Sequence, residues 1–468
     1  MTDRAQSGVS RRNLLSGSAA TAAALSLGLP AAAQAAPSSG PAPAPEPRRR
    51  GRQSPVTDLA FEGYDTVRVA IVGCGNRGTT MLRDFLKVPQ VRVTALGDSY
   101  APRAENAAAI VTAAGQNAPA VYADGETAFE QLAKRDDIDL IYTATPWEWH
   151  HPVAMAAMKN GKHAAVEVPM ATTMKELWEL VDTSERTRRH CIMMENVNYG
   201  RNELRLLRMA HAGDFGELQH GAGAYLHDLR NNLFNRSNIA SDAKGIDWRR
   251  AWHTRQNGDL YPTHGLGPIA ADMDINRGDR FTSISTTGTE PLGLPEFRRL
   301  NIPKDHPTWG ETYVTADYTS SRIQTAKGRF IRVDHSVTSP HPYSRLNHLA
   351  GTKGIFEDYP PRIALDPEAH SWADFADHAE RDHWLWTDVG DGGGGHGGID
   401  YLLIFRLVQT MRLSLVPDMD VYDGAAWSAP FPLSAQSMKW GGIPIPIPDF
   451  TRGNWSDYRD GLDTENPE

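Results

Sequence analysis

The chain has 468 residues, 40% of them hydrophobic and 22% charged, and a formal net charge of −9, which allows about two or three domains with cores of their own. That acidic balance excludes a protein built to grip a nucleic-acid backbone. Two cysteines, Cys74 and Cys191, exclude a disulfide scaffold and a cysteine-rich zinc site.

Residues 1–36 read as an address. Arg11 and Arg12 precede a charge-free run from Leu14 to Leu29, and Ala33-Gln34-Ala35 offers small residues for cleavage. This is the order of a signal peptide with a twin-arginine pair, so an exported protein is expected. Past it, no stretch reaches the roughly 20 apolar residues of a stable membrane span. Residues 37–60, rich in Pro, Ala and Arg, read as a solvated linker.

Val67 to Val72 has the pattern of a buried strand. Gly73-Cys74-Gly75-Asn76-Arg77-Gly78 follows at once, and Met81, Leu82, Phe85 and Leu86 then recur at helical spacing. Strand, GxGxxG and helix in this order are the context of a dinucleotide site. Gly73, Gly75 and Gly78 allow a tight turn and close approach of a pyrophosphate to the helix N-terminus. A second strand, Val91 to Leu96, ends at Asp98. A carboxylate there can bind ribose hydroxyls and repel a 2′-phosphate, which favours NAD over NADP, although Arg77 and Arg103 keep NADP open. Cys74 reads as a space filler.

Further strands are expected over residues 139–145, 163–168 and 191–196, and the Thr173/Glu176 spacing predicts a capped helix reaching about Arg188. The first fold is therefore a doubly wound α/β Rossmann domain over residues 61–195, with its ligand at the C-terminal ends of the strands. Residues 196–440 predict an α+β domain with a mostly antiparallel sheet. Its strands are expected at 221–226, 281–287, 312–319 and 330–337, without helices between them, and residues 441–468 read as a tail.

This plan resembles the glucose–fructose oxidoreductase-like (Gfo/Idh/MocA) proteins over roughly residues 65–440. Those carry Glu-Lys-Pro after the fifth strand; here the triplet is Glu167-Val168-Pro169, which removes a cation that an ordinary dehydrogenase of the family uses. More specific stretches resemble the NAD-dependent glycoside hydrolases of family 109, whose known activity is α-N-acetylgalactosaminidase. They are Trp147-Glu148-Trp149-His150, Glu195-Asn196-Val197-Asn198-Tyr199, the run from Tyr261-Pro262-Thr263-His264 to Pro268, Asn276 to Arg280, and His396-Gly397-Gly398.

The resemblance implies that Asn76, Arg77 and Asp98 meet the adenosine and pyrophosphate side of NAD. Trp147, Glu148, Trp149, His150, Glu167, Val168 and Asn196 would line the path to the nicotinamide. Arg249, aligned in preference to Arg250 next to a longer loop around residues 236–244, and the stretch Tyr261, Pro262, Thr263 and His264 would also meet the cofactor. Tyr225, Tyr261 and Tyr343 match sugar-contacting positions, and His264 and Tyr199 match the acid/base residues.

An ordinary glycosidase needs two carboxylates flanking the bond, and the spacing shows no such pair. The expected route instead oxidises the sugar at C3, eliminates the group at C1, adds water and reduces C3 again. Histidine suits the proton transfers, since its pKa lies near neutrality. Tyr261 and His264, three apart, would face one way on a helical turn. The alternatives are a sugar or cyclitol dehydrogenase and a non-catalytic sugar-binding protein. His150-His151, His341 and His348 have no acidic partner at ligand spacing, so no metal is expected. The glycine-rich stretch from Asp391 to His396 reads either as a closing loop or as plain surface. A small-molecule or glycan substrate is the expected partner, with no nucleic acid; a homo-oligomer would form through the C-terminal sheet.

Overall fold

The computed structural model describes residues 54–234, 247–459, 461–462 and 465–467. The expected signal segment, most of the linker and the loop around residues 236–244 lie outside them.

The first half alternates strand and helix: β1 (Val67–Val72), α1 (Asn76–Lys87), β2 (Val91–Gly97), α2 (Ala101–Ala113), β3 (Ala120–Tyr122), α3 (Phe129–Leu132), β4 (Leu140–Thr143), α4 (Trp147–Lys159), β5 (His163–Val166), α5 (Met174–Thr187) and β6 (Cys191–Met193). Strands covered by helices on both faces must be apolar throughout, and β4, β5 and β6 are buried at every position. All six pair in parallel, in the order β3-β2-β1-β4-β5-β6. The order reverses between β1 and β4, and there a doubly wound sheet opens its ligand crevice. The capping box predicted for α5 is formed: Thr173 Oγ1 accepts from Glu176 N at 3.2 Å, and Glu176 Oε2 accepts from Thr173 N at 3.0 Å.

The second half contains α6 (Arg201–His211), β7 (Leu218–Leu226), α7 (Arg230–Leu233), α8 (Asp247–His253), α9 (Thr263–Asp272), β8 (Phe281–Gly288), α10 (Gly293–Asn301), β9 (Thr319–Thr325) and β10 (Phe330–Ser336). After these come β11 (His348–Gly351), β12 (Gly354–Glu357), β13 (Arg362–Leu365), β14 (Ala373–Asp374), α11 (Ile399–Arg412), α12 (Val421–Ser428), α13 (Pro430–Lys439) and β15 (Ile445–Pro446). Nine strands form one sheet in the order β14-β13-β12-β11-β7-β10-β9-β8-β15. Every adjacent pair is antiparallel except β7 with β10.

The structure corrects three expectations. Helices α8, α9 and α10 do stand between the strands. The strand forecast at 312–319 lies at Thr319–Thr325 instead; the earlier segment is tied to α8, with Val314 N donating to His253 O at 2.8 Å. Residues 441–468 are not a free tail either. β15 pairs with β8, Ile447 and Phe450 are buried, and Arg452 is held by Asp182 and Glu185 of α5. Even the end of the linker is packed, since Val56 is buried and its amide donates to Tyr422 Oη at 3.1 Å.

One apolar core runs from the first sheet through α9, α11 and α12 into the second, and two smaller clusters hold Tyr225 and Trp147. Among the described residues no helix is long and apolar enough to cross a membrane.

Candidate active site

The glycine turn is dictated by space. Gly73 has φ +90°, and a Cβ there would lie 2.7 Å from the Ala144 carbonyl carbon. At Gly78 a Cβ would come within 1.8 Å of Gly73 O. A side chain at Gly75 would meet nothing within 4 Å. Gly73 and Gly78 close the turn, and Gly75 leaves open space before the α1 N-terminus, whose unpaired N–H groups favour an anion. The Asp98 carboxylate is aimed across this turn, accepting from Cys74 N at 2.8 Å and from Tyr100 N at 2.9 Å. Asn76 is exposed beside it. The residues present fit a dinucleotide. Burial pushes the Cys74 thiol up to about 12, so it is no nucleophile.

Arg77, in the first turn of α1 beside the glycine turn, reaches with its side chain toward β5 and α11. Its Nε donates to Glu167 at 2.8 Å and its Nη1 to Asp400 at 2.7 Å. Tyr142 Oη also donates to Glu167, at 2.7 Å, and Asn196 Nδ2 donates to Asp400, at 2.7 Å. Burial works against the Asp400 charge, but hydrogen bonds from His396 and Arg77 prevail and hold its carboxyl below the usual carboxylate range. The glycine-rich stretch before α11 joins the same network, with Gly395 N donating to Asp84 of α1 at 3.0 Å.

Aromatic rings form the next wall. Trp147 stacks on Tyr261, centroids 5.8 Å apart, and the Arg249 guanidinium lies 5.3 Å from the Trp147 ring and 4.8 Å from that of Tyr261. Arg249 Nη2 is buried without a hydrogen-bond partner, an arrangement that calls for an acceptor from a bound molecule. Arg250 points elsewhere, to Glu311 at 2.9 Å and Leu233 O at 2.7 Å. Glu148 is exposed and near Trp252, and Trp149 packs edge-on against Phe129. His150 is a brace: buried, with its ring nitrogens 2.7 Å from Pro169 O and 2.9 Å from Thr145 O. Val168 is buried.

His264 stands where the two domains meet. Its Nδ1 lies 2.6 Å from Oε1 of the fully buried Glu195, at the end of β6. Carboxylate and imidazole meet because α9 is bare where Glu195 packs on it: a Cβ on Gly267 would lie 2.9 Å from Glu195 Cγ. A Cβ on Gly223 would lie 1.8 Å from Gly265 O, and one on Gly265 would lie 2.3 Å from Ala224 N. With glycine on both sides, α9 lies directly on β7, and the His264 ring meets Tyr225 at 5.6 Å and Tyr261 at 4.8 Å. Tyr261 precedes α9 and Pro262 is its N-cap, so this meeting owes nothing to a shared helical turn. The Nε2 of His264 has no protein hydrogen bond among the described residues, and the side chain is 15% exposed. Around it, Glu195 Oε2, Asn196 Oδ1, both polar atoms of Asn198 and Thr263 Oγ1 are buried without partners.

Tyr225 Oη is 3.3 Å from His227 Nδ1, and Tyr343 meets Tyr225 edge-on at 6.0 Å. Tyr199 does not join this group. It is 2% exposed, and its Oη donates to Asp418 at 3.0 Å, where Arg406 is also paired at 3.0 Å. Burial drives its phenol well above the ordinary value. Its hydroxyl is used up inside the core, which displaces it from the acid/base position expected of it. Glu195 and Asp400 were missed as functional residues. Glu195 opens the stretch that ends in Tyr199, and a carboxylate at a strand end was the available signal. Among the described residues, no group of three or more His, Cys, Asp and Glu could hold a metal.

The family model "Oxidoreductase family, NAD-binding Rossmann fold" matches residues 67–195, and "Glycosyl hydrolase 109, C-terminal domain" matches residues 199–457. A glycosyl hydrolase family 109 protein of Streptomyces filamentosus is 58% identical over 421 residues, covering 90% of this chain and 84% of its own. One of Saccharopolyspora erythraea is 55% identical over 422 residues, covering 90% and 91%. Among solved structures, a levoglucosan dehydrogenase complexed with NADH and levoglucosan superposes with TM-score 0.63 at 16% identity, over 82% of this chain and 100% of that one. An inositol dehydrogenase homolog from Azotobacter vinelandii, complexed with NAD+, does so with TM-score 0.62 at 16% identity, over 83% and 99%. The fold is thus that of the Gfo/Idh/MocA oxidoreductases and the cofactor is NAD, and by its sequence across both domains the chain belongs to glycosyl hydrolase family 109.

Proposed function

We propose that this protein hydrolyses terminal α-linked N-acetylgalactosamine with NAD held in place, by a redox-neutral route. The observation that carries the reading is the Glu195–His264 pair, with a free Nε2, beside a dinucleotide turn. The turn at Gly73, Gly75 and Gly78 and Asp98 would hold the pyrophosphate and adenosine ribose; Asn196, Arg249 and the Trp147–Tyr261 stack would hold the nicotinamide end. Held there, the dinucleotide would supply reversible hydride exchange with sugar C3, so that no net oxidation results.

The protein's own work is positioning and proton transfer. Tyr225, Tyr261 and Tyr343 hold the sugar face. His264 Nε2 takes the proton of the C3 hydroxyl, while Glu195 fixes the ring with Nδ1–H donated and stabilises the positive charge it gains. With C3 at the ketone level, the C2 hydrogen is acidic; its loss as a proton and departure of the group on C1 as its alcohol, which takes up one proton, leave a C1–C2 double bond, and water then adds across it, its hydroxyl at C1 and a proton at C2. The proton returns to O3 from His264. An N-terminal twin-arginine-type segment supports export of the folded, cofactor-loaded protein; changing Arg11 and Arg12 together to Lys should leave it in the cytoplasmic fraction.

Purified protein incubated with a panel of aryl glycosides in deuterated water tests the reading. We expect release of N-acetylgalactosamine without added NAD+, deuterium at sugar C2 and no lasting reduced nicotinamide. Unlabelled C2 would exclude elimination, and stoichiometric reduced nicotinamide would mark a dehydrogenase.

A further inference from the structure

Aromatic rings continue outward from the sugar-contacting tyrosines. Tyr261 meets Tyr225 at 4.8 Å, Tyr225 meets Tyr343 at 6.0 Å, and Tyr343 meets Tyr359 at 6.3 Å with the rings inclined at 68°. Exposure rises along the series, from 9% at Tyr225 to 39% at Tyr343 and 38% at Tyr359. Large aromatic faces left in water next to a cleft gain by being covered.

The outer pair is built. Tyr343 precedes β11 and Tyr359 lies between β12 and β13, and Arg345 joins them, its guanidinium 5.7 Å from one ring and 5.8 Å from the other. Arg345 is in turn anchored by the buried Glu203 of α6 at 2.7 Å. Tyr359 also has φ +70°, a conformation a bulky residue adopts only where its surroundings enforce it, and such enforced backbone clusters at ligand sites.

We propose that Tyr359 and Arg345 form a subsite for the leaving group, and that this leaving group is a second sugar ring. The inference rests on the glycosidase reading above. A terminal sugar held over His264, Tyr225 and Tyr261 extends only through the substituent on its C1, so the group lying along the ring series toward the surface is the leaving group. A pyranose offers an apolar C–H face to Tyr359 and hydroxyl oxygens to the Arg345 donors. Binding energy from this remote ring is available to lower the barrier at C1.

The test compares two substrates with the same terminal sugar: the methyl α-glycoside of N-acetylgalactosamine, and N-acetylgalactosamine α-linked to galactose. Release of the terminal sugar is followed for the holoenzyme and for Tyr359→Ala and Tyr359→Phe. We expect Tyr359→Ala to lower kcat/KM for the disaccharide about tenfold and to leave the methyl glycoside within about twofold of wild type. Tyr359→Phe, which keeps the flat face, should restore the disaccharide rate. Equal losses on both substrates, or no loss on either, would overturn the subsite. Wild-type protein that cleaves neither would instead overturn the glycosidase reading, and the subsite with it.

Discussion

His264 pairs with the buried Glu195 at 2.6 Å, and Tyr199 pairs with the buried Asp418 at 3.0 Å. At the first, the second ring nitrogen faces the cleft and the carboxylate's Oε2 has no partner. At the second, the phenol has one oxygen and its O–H is donated to Asp418, while Arg406 fills the other side of the carboxylate. Imidazole has two distinct nitrogens and can be held by one while working with the other. A phenol held in this way has spent its only donor.

Removing each ring's polar function breaks the comparison most sharply. His264→Ala is expected to lower kcat by about 10²-fold or more, with bound NAD retained on purification. Tyr199→Phe is expected to leave kcat within about threefold and to lower stability by about 1 kcal/mol. Comparable losses of kcat in the two variants, at equal NAD content, would restore Tyr199 to the acid/base set. Glu195→Gln sharpens the same contrast. It keeps an acceptor for Nδ1–H but not the charge, so kcat should fall by about 10- to 10²-fold with KM little changed. An unaltered kcat would reduce Glu195 to a packing residue.

Asp98→Ala probes the other end of the site. Loss of a charged acceptor for ribose hydroxyls should weaken NAD retention about tenfold. The purified variant should carry substoichiometric dinucleotide, with kcat recovered by added NAD+. Full retention would mean that the glycine turn alone holds the cofactor.

The dinucleotide half was legible because its signals are local: an apolar run, three glycines at fixed spacing and an acid at the next strand end all lie within Val67 to Asp98. The acid/base pair was half legible. His264 stands in a recognisable stretch, but its partner is 69 residues away and reaches it where Gly267 of α9 leaves room for the Glu195 side chain. Tyr199 misled because a motif names a residue without saying where its hydroxyl goes. Strand β9 was misplaced because its outward residues are Ser, Arg and Gln and its inward ones mostly Ser and Thr, which blurs the apolar alternation that marks a strand.

Behind the site, His253 and His335 are each 2% exposed. Burial lowers both; the Arg249 and Arg250 charges add to it at His253, and the Arg249 charge adds to it at His335. His253 falls to about 3 from an ordinary value of 6.5, and His335 falls well below 6.5. The folded protein therefore keeps two neutral imidazoles that the unfolded chain protonates. Stability from this source is complete above pH 6.5 and is lost as pH falls toward the folded values. Each group contributes a slope approaching about 1.4 kcal/mol per pH unit. Between pH 6.5 and about 5, the buried Asp259, whose carboxyl burial raises to about 7, and the buried Asp272, also raised, contribute with the opposite sign, so the histidine share is read from the change that a histidine substitution makes. His253→Asn should lower the urea-unfolding slope in that window by about one group's worth. An unchanged slope would show that His253 takes up its proton without unfolding, and that the cation at Arg249 has a looser backing than its packing indicates.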